Sequence, residues 1–185
     1  MNDLLAAVQN RQSFGKLCEP APNNAEIEQL LKTAVTVPDH GNLKPFRFIV
    51  VSGEGQTKLG AAFAQAMKRQ NPEAPDAKIE KARAKAHAAP LMILIVSSPK
   101  ESKIPLWEQE ATAACTGYAI SLAADLMGYG AIWKSIGIEI DTEVRQVLKM
   151  SSHENLLGWV NVGTRKVEKT GERQPIDLQS YYSQI

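Results

Sequence analysis

Residues 91–97 read Leu-Met-Ile-Leu-Ile-Val-Ser, and Trp107 to Gly128 follows after a short link containing Pro99 and Pro105. The first stretch is a continuous apolar run between Pro90 and Pro99, which suits a strand covered on both faces. In the second, Trp107, Ala111, Ala114, Cys115, Tyr118, Leu122 and Leu126 recur at spacings of three and four, which predicts a long buried helix with these residues on its core-facing stripe, stopped by Gly128. A strand and a long helix that both need covering call for a layered α/β or α+β domain.

Upstream, Asp3 to Asn10 reads as a short helix with Leu4, Leu5 and Val8 on one face. Asn23 or Asn24 offers an N-cap for a helix through Val35, in which Ile27, Leu30, Leu31 and Ala34 repeat at helical spacing and which Pro38 ends. Phe46 to Val51 reads as a strand closed by Ser52-Gly53-Glu54-Gly55. Two Ala- and Lys-rich helices follow, Thr57 to Arg69 and Asp76 to about His87, separated by Asn71-Pro72-Glu73-Ala74-Pro75. Downstream, Ala131 to Ser135 is a short strand, Asp141-Thr142-Glu143-Val144 caps a helix through Leu148, and Asn155 to Val162 is a last strand ended by Gly163. The order is ααβααβαβαβ, without the regular rhythm of a doubly wound fold. No Gly-x-Gly-x-x-Gly follows an early strand, so a Rossmann dinucleotide site is unsupported. The 185 residues are expected to form one domain, 1–185, with 164–185 as a C-terminal arm that a globular core does not require and that is free to lie on a partner subunit.

Composition excludes several classes. A net charge of +1 gives no field directed at nucleic acid. The longest apolar run, Pro90 to Val96, is far short of the ~20 residues of a membrane span. No signal-peptide pattern follows Met1-Asn2-Asp3, so a cytoplasmic protein is expected. Cys18 and Cys115 lack the spacing of a metal site, and His87 and His153 have no ligand-spaced partners. Three segments remain that carry chemistry: Arg11-Gln12-Ser13, Pro38 to Phe46, and Gly128 to Ser135. None holds a nucleophile with its base. They supply a cation and a hydroxyl, a polar elbow before a strand, and a Gly-rich turn between helix and strand, which is equipment for holding a cofactor that does the chemistry itself.

With these residues in order along nearly the whole chain, the sequence resembles the flavin-dependent nitroreductase family, above all its short bacterial YdjA-type branch. The resemblance rests on the early Arg-x-Ser, the Pro-Asp-His elbow leading to Pro45-Phe46-Arg47-Phe48, Trp107-Glu108-Gln109-Glu110 opening the long helix, Gly128-Tyr129-Gly130-Ala131-Ile132-Trp133-Lys134-Ser135, and Gly163-Thr164. It implies an α+β fold with a central mixed sheet flanked by helices, in an intertwined homodimer with FMN at the interface. It implies a ping-pong reaction in which NAD(P)H reduces the flavin and the flavin reduces a nitroaromatic, quinone or similar small-molecule acceptor, with no catalytic side chain required. By the same resemblance Arg11, Gln12 and Ser13 hold the FMN phosphate and ribityl chain. Thr36 and His40 lie at the flavin bound mainly by the other subunit, Asn42 faces the ring edge, and Trp133, Lys134 and Ser135 contact the ring. Lys44 and Phe46 stand where Gln and Trp are common in the family, a departure that bears on the substrate side. A late basic residue among Arg165, Lys166, Lys169 and Arg173 is the family's further phosphate contact, although a solvated tail explains most of that cluster. Glu108 and Glu110 read as acidic residues favourable in a first helical turn, with pairing of Glu108 to a basic partner residue as the alternative. Two other functions stay open: a flavin-transforming or dehalogenating relative, for which 70–75 is the one place for a lid, and a non-catalytic dimeric ligand-binding protein.

Overall fold

The computed structural model describes residues 3–167 and 176–185. Its elements are α1 (Asp3–Asn10), β1 (Leu17–Cys18), α2 (Asn24–Ala34), β2 (Phe46–Val51), α3 (Glu54–Gln70), α4 (Asp76–Ala84), β3 (Leu91–Ser97), α5 (Leu106–Leu126), β4 (Gly130–Lys134), α6 (Thr142–Val147) and β5 (Asn155–Arg165). The expected order holds, with one strand added. β1 has two residues and pairs with the far end of β5, Leu17 with Arg165 and Cys18 with Thr164. So short a strand has no periodicity of its own, and its partner lies at the other end of the chain.

The sheet runs β1-β5-β3-β2, with β4 also pairing β5. All four pairings among the described residues are antiparallel, so over these residues the sheet is antiparallel where a mixed one was expected. The apolar run of β3 is explained by layers rather than strand direction. All seven of its residues are buried because helices cover both faces. Met92, Leu94 and Val96 pack with Phe63 of α3, Ala82 of α4 and Trp159. Leu91, Ile93 and Ile95 pack with Leu30 of α2 and Ile120 and Ala124 of α5. β5 continues through Gly163 to Arg165, where a break was expected. A Cβ at Gly163 would come 2.7 Å from Pro90 Cγ and 2.9 Å from the Cys18 carbonyl. The glycine thus permits close packing and does not end the strand.

Local signals fix the helix starts. Asn23 caps α2 with a full capping box, accepting from the amides of Ala25 and Glu26 while Glu26 accepts from the Asn23 amide. Asp141 caps α6 through the Val144 amide at 3.0 Å. α3 begins at Glu54, inside the expected turn, and α4 tightens into a 3-10 turn over Lys85–His87. The end of α3 is tied to the segment that leads into α6. Gln70 donates to Glu139, and Arg69 pairs with Asp141 and Glu143 across to α6.

The long helix α5 corrects the expectation most clearly. Its buried residues are Gln109, Thr112, Ala113, Thr116, Gly117, Ile120, Ser121, Ala123 and Ala124. The apolar stripe expected to face the core faces outward instead. Trp107 is 69% exposed, Tyr118 52% and Leu126 56%, and Ala111, Ala114 and Cys115 are exposed beside them, with Leu122 half-buried. Small residues face the sheet because the helix lies close against it, and bulk is left for the other side.

Candidate functional site

Arg11 and Ser13 leave the end of α1, whose last turn is closed by the Arg11 amide donating to the Ala7 carbonyl. The chain then runs beside β4, where the Phe14 amide donates to the Ala131 carbonyl at 2.9 Å. This docks Arg11 and Ser13 over a cavity of about 270 Å³ whose other walls are Ala114, Gly117, Tyr118 and Ser121 of α5 and Trp133 of β4. Two glycines make the slot that holds the indole. A Cβ at Gly117 would overlap the Trp133 ring, and one at Gly158 would come 2.9 Å from Trp133 Cε2 and 2.6 Å from the Lys134 carbonyl. Gly158 also has φ +154°, a conformation glycine adopts readily. Neither glycine stood out in the sequence, because nothing local marks a glycine that is needed by a side chain from another element. Gln12, half-buried, does not line the cavity.

Trp133, Lys134 and Ser135, taken together in the sequence, part company in space. Successive side chains on a strand point to opposite faces, so Trp133 joins the α5 side while Lys134 turns to the other; there Lys134 and Ser135, the residue just past the end of β4, line a second cavity of about 200 Å³ with Lys85, Ala88, Trp159 and Asn161. Trp159 Nε1 and Asn161 Oδ1 are buried and have no hydrogen-bond partner among the described residues. Burial, and then the neighbouring Lys81, pushes the Lys85 ammonium below its ordinary range. Two lysines, a serine, a tryptophan and an asparagine therefore line one small space, and unmet polar groups at such burial call for a polar partner. Lys85, Trp159 and Asn161 were not legible in the sequence. Lys85 sits in a lysine-rich helix that looks like solvated surface, and the other two sit in an apolar strand.

The elbow of Thr36, His40 and Asn42 reaches neither cavity in this chain. Thr36 donates to the Thr33 carbonyl at 2.8 Å, at the end of α2. The turn is organised by Asp39, whose carboxylate accepts from the Leu43 and Lys44 amides at 3.1 and 2.9 Å and pairs with Lys44 at 3.3 Å. Three residues take left-handed conformations: Gly41 at φ +72°, Asn42 at +54° and Lys44 at +51°. Asn42 is thus a turn former. His40 and Asn42 are exposed. His40 Nδ1 lies 2.6 Å from Glu108 Oε1, so Glu108 has an intrachain partner. This end of α5 is about 9 Å or more along the helix axis from the Ala114 wall of the first cavity, at a rise of about 1.5 Å per residue.

In the tail, Arg165 is structural. Its guanidinium donates to the Tyr129 carbonyl at 3.0 and 3.2 Å and to Asp125 Oδ1 at 2.9 Å, and it lies 4.4 Å from the centre of the Phe14 ring. It ties the C-terminal end of α5 to the Arg11–Phe14 segment. The Lys166 amide donates to the Lys16 carbonyl. Lys169 and Arg173 lie outside the described residues. No helix among the described residues is long and apolar enough to cross a membrane.

The Nitroreductase family model matches residues 10–164. The "Putative NAD(P)H nitroreductase YdjA" of Escherichia coli (strain K12) is 32% identical over 167 residues, covering 90% of this chain and 90% of that protein. A protein of Haemophilus influenzae with the same designation, without the YdjA name, is 31% identical over 185 residues, 99% of this chain and 100% of its own. Among solved structures, a nitroreductase-like family protein from Bacillus cereus superposes with a TM-score of 0.83 at 19% identity, covering 100% of this chain and 97% of its own. An FMN-dependent nitroreductase from Clostridium difficile R20291 gives 0.71 at 21%, covering 97% and 98%. At those identities the structures speak for the α+β fold, while the sequence matches carry the relationship: the chain belongs to the nitroreductase family of oxidoreductases.

Proposed function

We propose that the protein is an FMN-dependent NAD(P)H oxidoreductase that works as a homodimer and reduces nitroaromatics, quinones or similar acceptors. One observation carries this reading: Arg11 and Ser13, far in sequence from Trp133, border one cavity with it along the edge of α5, where exposed Ala114 and Tyr118 meet buried Gly117 and Ser121. The residues fit the cofactor. A guanidinium and a hydroxyl suit a phosphate and a ribityl chain, and the walls of Ala114, Gly117 and Trp133 suit an aromatic ring system. At about 270 Å³ the cavity falls below the ~300 Å³ at which ligand pockets begin, as expected if one chain supplies only part of the site.

The rest of the site would come from a second copy. Tyr118 of α5, which lines the cavity, is exposed, as are Trp107 and Leu126 of the same helix and Leu5 and Val8 of α1, and exposed apolar residues in such numbers suit association. Thr36, His40 and Asn42, remote from the cavity in their own chain, would serve the partner's cofactor. Lys134 and Ser135 line the second cavity and Gln12 lines neither, so these three would meet the cofactor only where it reaches past the first cavity, at the β4 edge. Thr164 and Arg165, expected in the C-terminal arm, belong to β5, while the exposed Leu178, Tyr181 and Tyr182 suit a shorter arm laid on the partner. Bound FMN supplies the hydride chemistry, accepting from NAD(P)H and delivering to the acceptor in turn. The side chains bind and orient it and leave room for the two substrates. No side-chain acid, base or nucleophile is required.

The absorbance spectrum of the purified protein, before and after anaerobic NADPH or NADH, tests this. A flavin spectrum that bleaches and returns on adding a nitroaromatic or a quinone is the expected result. A protein that takes up no FMN on soaking would overturn the reading in favour of a non-catalytic ligand-binding dimer.

A further inference from the structure

The geometry points to Glu108 as a positioning residue that fixes the imidazole of His40 and presents its Nε2 edge to the cofactor bound by a partner copy. The inference rests on the proposed reading of His40, and the contacts around Glu108 support it independently. His40 Nδ1 and Glu108 Oε1 are 2.6 Å apart. A carboxylate oxygen only accepts, so Nδ1 carries the proton and Nε2 is the edge left for a ligand. The His40 side chain is 67% exposed, and no other hydrogen bond to it occurs among the described residues. An exposed ring with one nitrogen held leaves its other edge open to a group outside the chain.

Both sides of the pair are held. Glu108 is in the first turn of α5. Its neighbour Gln109, 4% exposed, stitches down the loop leading into that turn, accepting from the Lys100 amide at 2.8 Å and donating to the Lys100 and Ile104 carbonyls at 3.1 and 3.0 Å. Ile104 in turn packs under the elbow, where a Cβ at Gly41 would come 2.8 Å from Ile104 Cδ1. The buried Asp39 carboxylate closes the elbow from the other end. Loop, helix start and elbow thus form one unit that sets the direction of the imidazole, and Glu108 sets its tautomer.

Two readouts test this. Carbon and nitrogen chemical shifts of the His40 ring report the tautomer in the purified protein whether or not FMN is bound. The expected result is a protonated Nδ1 in the native protein that is lost in Glu108→Ala. A ring with Nε2 as its only protonated nitrogen, or shifts indifferent to Glu108→Ala, would overturn the proposal. FMN affinity in Glu108→Ala, His40→Gln and the double variant gives the second. Each single variant is expected to bind FMN about tenfold more weakly, with the double variant no weaker than His40→Gln alone. Independent, multiplying losses would contradict action through His40. Loss of the tautomer effect discards the role of Glu108. Retention of it with no FMN affinity in the native protein discards the cofactor reading instead.

Discussion

The two faces of α5 have opposite characters, and not in the usual sense. The face turned to the sheet is small and partly polar: Thr116 and Ser121 satisfy their hydroxyls on the Ala113 and Gly117 carbonyls of the same helix, and Gly117 gives way to the Trp133 ring. The outward face carries Trp107, Tyr118 and Leu126. Within one chain, close approach to the sheet selects small residues. The bulky apolar residues lie where a monomer has no use for them. An apolar stripe at helical spacing therefore announces a surface that something covers, without saying whether the cover is the same chain or a second copy.

Changes on the inward face should cost the most. Gly117→Val places branched carbons inside the Trp133 ring, and we expect a loss of about 3 kcal/mol or more of stability together with the bound flavin. Thermal and denaturant unfolding would read the first, and absorbance the second. A variant that unfolds like the native protein would show that α5 stands off the sheet.

A site on neither face calibrates that loss. Arg47 donates to both carboxylate oxygens of Glu154 at 2.6 and 2.7 Å, with the Ser151 amide adding a third contact at 2.9 Å. Glu154→Gln breaks this pair, and about 3 kcal/mol is expected with no change in oligomeric state. The Arg47 guanidinium, against the opposing effect of burial, holds the Glu154 carboxyl at about 2, below its ordinary 4.5. The folded-state value is the lower one, so the stabilisation is complete above pH 4.5 and is lost as the pH falls toward 2. Unfolding free energies measured across that window should converge for the native protein and Glu154→Gln as the solution is acidified. A gap that stays constant would remove the ion pair as the cause.

On the outward face the expected signature reverses. Tyr118→Lys should leave chain stability within about 0.5 kcal/mol but weaken self-association by about 2 kcal/mol or more, since two-fold symmetry introduces the charge twice. Sedimentation at graded concentrations separates the two effects. Unchanged association would move the interface elsewhere. The smallest effect is expected at the cavity rim, where Arg11→Ala removes one charged contact and should weaken FMN binding about tenfold by fluorescence titration, with the dimer intact.

The sequence made local structure legible where the cause is local. The N-cap at Asn23 or Asn24, found at Asn23, the Asp141 cap and the polar elbow after Pro38 all act within a few residues. So did the bounds of β2 and β3, whose apolar runs end in breakers. What was not legible depends on distant partners. The pairing of Leu17 and Cys18 with β5, the slot that Gly117 and Gly158 make for Trp133, and the buried lining of Lys85, Trp159 and Asn161 each join segments far apart in the chain. The outward turn of the α5 stripe belongs with these, because periodicity carries no label for the molecule that provides the cover. The residues of the candidate site were readable as types, but their division between two cavities and an exposed elbow came only with the sheet.

The most direct test of the central claim, that the outward face of α5 completes the cofactor site through a second copy, is sedimentation equilibrium of the flavin-loaded protein followed in both the protein and the flavin absorbance bands. The account predicts that flavin travels with a dimer and is released as dilution dissociates it. Flavin that remains bound to a monomer after dissociation would contradict it.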